Sequence, residues 1–152
     1  MILVKYNSIM KDFFELIRWN HWAKNVFVLA PLFFSGDYYE ISNVAQVLKA
    51  FFIFCLVSSC VYIFNDLLDY EADSAHNKKR LRPLPSGRIS KPMAVLILSI
   101  MFISACLLLY ILRMPINFIY VVLLYALINL IYSMGLKHIP VLELRLVSSG
   151  FV

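Results

Sequence analysis

From Met93 to Leu112 the chain runs for twenty residues without a charged side chain, and after a turn at Arg113, Met114 and Pro115 it is uncharged again from Ile116 to Met134. Stretches of this length match the ~20 residues an α-helix needs to cross a bilayer, where each backbone polar group must be satisfied within the helix itself. A third stretch, Val44 to Phe64, is apolar apart from Gln46, Lys49 and a few small residues. With 62% of the 152 residues apolar and only 15% charged, against roughly 25% charged in soluble domains, a soluble globule is excluded. Four Gly and six Pro likewise exclude a flexible or collagen-like chain. The net charge of +5 does not signal nucleic acid, because the 14 Lys and Arg sit beside the apolar stretches rather than along one solvated face.

The expected architecture is an all-α transmembrane bundle, one membrane domain over residues 1–152 with four spans and the start of a fifth. The first span is drawn from Val26 to Phe34 and enlists Trp19 to Asn25 to reach bilayer length; the fifth begins within Val141 to Val152. Residues 1–18 read as an interfacial amphipathic helix, with Tyr6, Ile9, Met10, Phe13 and Ile17 at helical spacing opposite Lys11, Asp12 and Glu15. Arg18, Trp19 and Trp22 then mark the headgroup level. Lys and Arg concentrate in the amino-terminal segment, in the 65–92 loop and at 135–138, which by the positive-inside rule places these in the cytoplasm of a multi-pass cell-membrane protein. Cys55, Cys60 and Cys106 lie in apolar stretches without a Cys-x-x-Cys pair and read as small core residues. His21, His76 and His138 fall at interfaces, and no two share a helical face with acids at ligand spacing.

The stretch Asn65-Asp66-Leu67-Leu68-Asp69-Tyr70-Glu71-Ala72-Asp73 directly continues the second apolar span. At about 100° per residue, Asp66, Asp69 and Asp73 fall within an arc of about 60°, Asn65 adds about 40°, and Glu71 lies about 140° from Asp66. Three carboxylates on one face repel unless a cation sits among them, and Mg²⁺ is the hard cation such oxygens hold, usually through bound phosphates. The basic segment Lys78-Lys79-Arg80-Leu81-Arg82, followed by Pro83, supplies the complementary charge, with arginine forks suited to phosphate oxygens. Read singly, the acids could be a solvated helix end and the basic residues a topogenic or lipid-attracting run; together they pair a metal platform with an anion seat. Lys24, inside an otherwise apolar stretch, is costly to bury and reads as functional or as snorkelling to the headgroups.

Asn65-Asp66-x-x-Asp69-x-x-x-Asp73 followed by Arg82-Pro83-Leu84-x-Ser86-Gly87 resembles the first aspartate-rich motif of the UbiA superfamily of intramembrane prenyltransferases and the Arg-Pro loop after it. Arg18-x-x-x-Trp22-x-Lys24-Asn25 and the run from Asp69 through His76 to Pro83 are similar to the decaprenyl-phosphate phosphoribosyltransferase branch, as are Tyr132-Ser133-x-x-Leu136-Lys137-His138 and Ser149-Gly150-Phe151-Val152. Asn77 departs from the Pro expected there.

The resemblance implies Mg²⁺-dependent transfer of phosphoribose from phosphoribosyl pyrophosphate to a polyprenyl phosphate such as decaprenyl phosphate, on the cytoplasmic side. It implies metal ligation by Asn65, Asp66, Asp69 and Asp73, with the three aspartates catalytic, and substrate contacts from Arg18, Lys24, Asn25, Lys79, Arg80, Arg82, Tyr132 and Lys137. Two other readings stay open: UbiA-type prenyl transfer to an aromatic acceptor on the same platform, and a non-catalytic membrane protein that binds lipid phosphates. The family fold has nine spans and a second aspartate motif, neither completed within these residues. The 152-residue chain alone is therefore expected to show no appreciable turnover, and to associate with a separately encoded second half or with another copy of itself.

Overall fold

The computed structural model describes residues 2–135; Lys137, His138 and the expected start of a fifth span lie outside the described residues. Among those described, all regular structure is helical: α1 (Ile2–Leu16), a 3₁₀ helix over Trp19–Leu29, α2 (Ala30–Ser35), a 3₁₀ turn at Asp37–Tyr39, α3 (Ile41–Leu68), α4 (Tyr70–Ala75), a 3₁₀ turn at Lys79–Leu81, α5 (Lys91–Ile111) and α6 (Ile116–Met134). Three of these, α3, α5 and α6, are long and apolar enough to cross a membrane, and they occupy the second, third and fourth expected spans. α5 begins where Ser90 caps it, its hydroxyl accepting from the Met93 N–H, with Pro92 in the first turn where a missing N–H costs nothing.

The first expected span differs. Trp19 to Leu29 forms eleven residues of 3₁₀ helix, far longer than the usual three or four, and Pro31 lies in the first turn of α2. The cause is lateral. Polar side chains of this segment bond across to α3: Trp22 Nε1 donates to Ser59 Oγ at 3.0 Å, and Asn25 Nδ2 donates to Ser58 Oγ at 3.1 Å and to Cys55 Sγ at 3.3 Å. Ser59 Oγ in turn donates to the Ile17 carbonyl at 2.8 Å. Among groups removed from water such bonds outweigh the modest backbone advantage of α over 3₁₀ geometry.

At 28 residues α3 is about 42 Å long, roughly 12 Å more than the hydrocarbon is thick, so it carries its last turns, with Asn65 and Asp66, beyond the apolar layer. It is the most buried of the three long helices. Around its carboxyl-terminal half Leu16 of α1 and Ile17 just after it, Cys60 and Ile63 of α3, Leu84 and Ile89 of the loop, and Ala94 and Met101 of α5 form one core. The loop is thus docked rather than merely solvated, since burying Leu84 and Ile89 is worth about 1.5–3 kcal/mol each. Apolar side chains such as Ile103, Leu124 and Leu127 are exposed on α5 and α6, a surface a bilayer would meet. Of the three thiols, Cys55 and Cys60 are buried, whereas Cys106, expected in the core, is exposed on an apolar groove between α5 and α6 that also reaches Cys60 of α3.

Candidate functional site

α1 ends at a left-handed residue. Arg18 has φ 52° and ψ 46°, a conformation that costs a non-glycine residue about 1–2 kcal/mol and persists where surrounding contacts enforce it. Those contacts are clear: Arg18 Nη2 donates to Asp66 Oδ1 at 2.5 Å, and the guanidinium lies 4.7 Å from the centroid of the Tyr62 ring. The chain reversal at Arg18 therefore delivers a cation to the carboxyl-terminal end of α3.

The aspartate segment stays on a helical ladder through its break. Asp69, with ψ near 7°, separates α3 from α4, yet its N–H donates to the Asn65 carbonyl at 2.9 Å and the Asp73 N–H donates to the Asp69 carbonyl at 2.8 Å. Asp66 and Asp73 are 2% and 1% exposed, a depth at which carboxylates persist only when paired. Arg82 pairs both: its Nη1 donates to Asp66 Oδ1 at 3.2 Å and to Asp73 Oδ2 at 2.6 Å. Lys79 Nζ adds a contact to Asp73 Oδ1 at 3.2 Å. One guanidinium nitrogen thus ties the two ends of the acidic face.

Arg82 is aimed by its loop. The Ser86 N–H donates to the Arg82 carbonyl at 3.0 Å, the Ile89 N–H to the Pro83 carbonyl at 3.0 Å, and Gly87 takes φ 76°, where a side chain would be strained. Arg88 then clamps the loop to α1. It meets Asp12 Oδ1 and Glu15 Oε2 through Nη1, Glu15 Oε1 and the Leu81 carbonyl through Nη2, and Ser86 Oγ through Nε. The Glu15 carboxylate, with Asp12, holds the Arg88 guanidinium above its ordinary pKa. Nothing in the spacing of the sequence linked Arg88 to Asp12 and Glu15, since more than seventy residues separate them.

Two cavities flank the Asp66–Arg82–Asp73 bridge. The larger, about 830 Å³, is bordered by Asn65, Asp69, Asp73, Lys79 and Tyr132, and also by Glu71. Ideal helical angles placed Glu71 well off this face; the chain departs from ideal geometry at Asp69, and the cavity is wide enough for the exposed Glu71 to stand at its rim. The smaller, about 260 Å³, is bordered by Arg18, His21, Asp66 and Arg82. Asp66 therefore opens on a different cavity from Asn65, Asp69 and Asp73.

Other expected substrate contacts are dispersed. Lys24 and Arg80 are exposed and border neither cavity. Asn25 commits its amide N–H groups to α3, and Lys137 lies outside the described residues. His76 organises the basic turn, its Nδ1 accepting from the Lys78 and Lys79 N–H groups at 3.2 and 3.4 Å.

Among the described residues, no three acidic, His or Cys side chains converge closely enough to hold an ion by themselves. The donor chemistry nevertheless fits Mg²⁺. Asn65 and Asp69 put hard oxygen donors on one cavity with room for a phosphate group, whereas both Asp73 oxygens are taken by Lys79 and Arg82; Mg²⁺ is usually held by one or two carboxylates plus substrate phosphates rather than by an all-protein cage.

The UbiA prenyltransferase family profile matches residues 26–152. The chain is 36% identical to decaprenyl-phosphate phosphoribosyltransferase of Mycolicibacterium smegmatis, over 95% of this chain and 46% of that protein. It is 36% identical to the protein of the same name in Mycobacterium tuberculosis, over 91% and 46%, and 35% identical to that of Corynebacterium glutamicum, over 91% and 42%. The chain thus spans a little under half the length of these relatives. It belongs to the UbiA prenyltransferase family.

Proposed function

We propose that this UbiA-family chain supplies the first acidic wall and the basic loop of a site that transfers phosphoribose from phosphoribosyl pyrophosphate to a polyprenyl phosphate. The observation that carries the reading is the cavity of about 830 Å³ on which Asn65, Asp69 and Asp73 face Lys79 and Tyr132, beside the Arg82 bridge. The names of the M. smegmatis and M. tuberculosis relatives support the choice of donor and acceptor.

In this reading the diphosphate of the donor lies in the larger cavity. An oxygen of the lipid phosphate attacks the anomeric carbon, the bond from that carbon to the diphosphate oxygen breaks, and its electron pair leaves with the diphosphate. No general base is needed, because the attacking phosphate is already ionised. Lys79 and Arg82 offset the charge that accumulates on the leaving group, a stabilisation that grows in a site with little water. Asp66 and Asp73 hold Arg82 in place for that role, and Asp69 and Asn65 border the cavity assigned to the donor. Mg²⁺, held by Asn65 and Asp69, would supply further charge neutralisation to the diphosphate. Tyr132, at the end of α6, borders the same space as a hydrogen-bond donor. The 65–92 segment faces the cytoplasm, where a water-soluble donor is available.

The test is donor choice. Diphosphate release is followed in lipid nanodiscs with Mg²⁺ and either phosphoribosyl pyrophosphate plus a polyprenyl phosphate or a prenyl diphosphate plus an aromatic acceptor. The chain is assayed alone and co-expressed with the remaining half of the M. smegmatis relative. Release with the first pair, and only in the co-expressed form, is expected, because one acidic wall cannot by itself balance and orient a diphosphate. Release with the second pair alone would overturn the reading.

A further inference from the structure

Of the described residues that border the larger cavity, Asp69, Glu71 and Asp73 are acids and Lys79 alone is a cation. We propose that Lys79 is an exchangeable counter-ion: its ammonium pairs with Asp73 until a diphosphate enters, then passes to a phosphate oxygen while the metal that accompanies the diphosphate takes over the Asp73 charge. Metal and diphosphate then bind as a pair, each weakly without the other. This inference rests on the proposed transfer and adds how its donor site is assembled.

Asp73 is the fixed partner. Its side chain is 2% exposed, and its oxygens are divided between two cations, Oδ2 to Arg82 at 2.6 Å and Oδ1 to Lys79 at 3.2 Å. The cations differ in what holds them. Arg82 also pairs with Asp66 and borders the smaller cavity, so drawing it off would strip two buried carboxylates at once. Lys79 makes its ion pair with Asp73 alone, is 45% exposed and borders the larger cavity; a pair so well solvated is weak and readily exchanged. The Lys79 backbone is pinned, its N–H donating to His76 Nδ1 at 3.4 Å and its carbonyl accepting from the Arg82 N–H at 3.0 Å. Only the flexible four-carbon stem has to move, and it ends in a point charge suited to whichever phosphate oxygen it meets.

Charge balance couples the two ligands. A diphosphate entering by itself would face three acids with one lysine to receive it. If Lys79 turned to that diphosphate, Asp73 Oδ1 would be left buried without a partner, a costly arrangement for a carboxylate. A divalent cation entering by itself would find the same Asp73 oxygen held by Lys79 and would have to rely on Asn65 and Asp69. Together the two ligands resolve both conflicts. Lys79 gains the phosphate, and Asp73 Oδ1 joins Asn65 and Asp69 in facing the metal. The coupling is reciprocal, since whatever factor the diphosphate adds to metal affinity the metal adds to diphosphate affinity.

The chain in nanodiscs is titrated with Mn²⁺, read by the paramagnetic resonance signal of the free ion, and separately with labelled inorganic pyrophosphate in the presence and absence of Mg²⁺. Lys79→Met keeps the stem and removes the charge at an exposed position. It is expected to tighten Mn²⁺ alone about tenfold and to weaken Mg²⁺-dependent pyrophosphate binding about tenfold. In an Asp73→Asn background the same change should leave Mn²⁺ within about twofold, because no ion pair remains to be broken. Loss of a merely structural lysine would weaken both probes. Unchanged or weaker Mn²⁺ binding in Lys79→Met, or unchanged pyrophosphate binding, would overturn the exchange and leave the transfer reading standing. The same follows if pyrophosphate binds the unaltered chain as tightly without Mg²⁺ as with it. Equal tightening of Mn²⁺ with Asp73 and with Asp73→Asn would show a general effect of charge and also overturn the exchange. Pyrophosphate that fails to bind the unaltered chain even with Mg²⁺ would overturn both.

Discussion

Arg82→Ala is the substitution whose consequence the geometry fixes most closely. Among the described residues, Arg82 alone is ion-paired with both Asp66 and Asp73, through one nitrogen at 3.2 and 2.6 Å, and the two carboxylate side chains are only 3% and 2% exposed. Stripping a buried charge of its sole partner costs about 3–5 kcal/mol. Here each acid keeps one other cation: Asp66 keeps Arg18, itself 18% exposed, and Asp73 keeps Lys79, 45% exposed and well solvated. The expected loss is therefore about 2–3 kcal/mol, carried mainly by Asp73, whose remaining partner is the weaker. Unfolding of the purified chain in detergent, monitored by circular dichroism against rising denaturant, measures it. The decisive form is a cycle with Asp73→Asn. Once Asp73 is neutral, Arg82→Ala removes much less, so the two single losses should exceed the double loss by about 1–2 kcal/mol. Additivity within about 0.5 kcal/mol would show that Arg82 and Asp73 are not coupled, and the account of the bridge would be wrong.

Within the co-expressed enzyme, Asp69→Asn should abolish diphosphate release, whereas Glu71→Gln, at the cavity rim, should leave most of it; equal losses would mean that bulk acidity rather than a defined face is at work. Arg88→Ala should raise amide hydrogen exchange across residues 82–88 at least about tenfold while sparing α5, since it frees the loop from Asp12 and Glu15; unchanged exchange would remove Arg88 as the clamp. Because Glu15 and Asp12 raise the Arg88 pKa, the stabilisation is complete below the unfolded-state value and is lost only as pH rises past the higher folded one, so the clamp should not loosen between about pH 7 and 10. In a cysteine-free background, a Cys at position 77 should react with an impermeant maleimide only from the cytoplasmic side, and labelling only from outside would invert the topology.

Much of the fold was legible because hydrophobic length is a strong signal in a bilayer. The uncharged stretches Met93–Leu112 and Ile116–Met134 differ from α5 and α6 by at most two residues at any end. The Trp19–Leu29 segment was harder to read. Its apolar content says span, but its backbone is decided by Trp22, Asn25, Ser58 and Ser59, residues whose cross-chain bonds leave no period in the sequence. The same limit applies to α1. Its exposed Ile9 and Met10 follow the amphipathic pattern, yet the contact that anchors it is made by Asp12 and Glu15, polar residues assigned to the opposite face.

At the site, spacing alone put Asp66, Asp69 and Asp73 on one face, and backbone bonds from Asn65 to Asp69 and from Asp69 to Asp73 run on through the break between α3 and α4. Spacing could not show how the face is divided. Asp66 and Asp73, seven residues apart, are both drawn to Arg82, and Asp69, between them, borders the larger cavity. That division follows from charge balance: two carboxylates sunk to 2% and 1% exposure require cations, and the nearest are an arginine fixed by the docked loop and another fixed by the left-handed end of α1. The acidic motif and the basic loop are therefore one electrostatic unit. A substitution in either should be read first through its effect on the other, because an arginine that neutralises two buried aspartates cannot be altered without changing what those aspartates can bind.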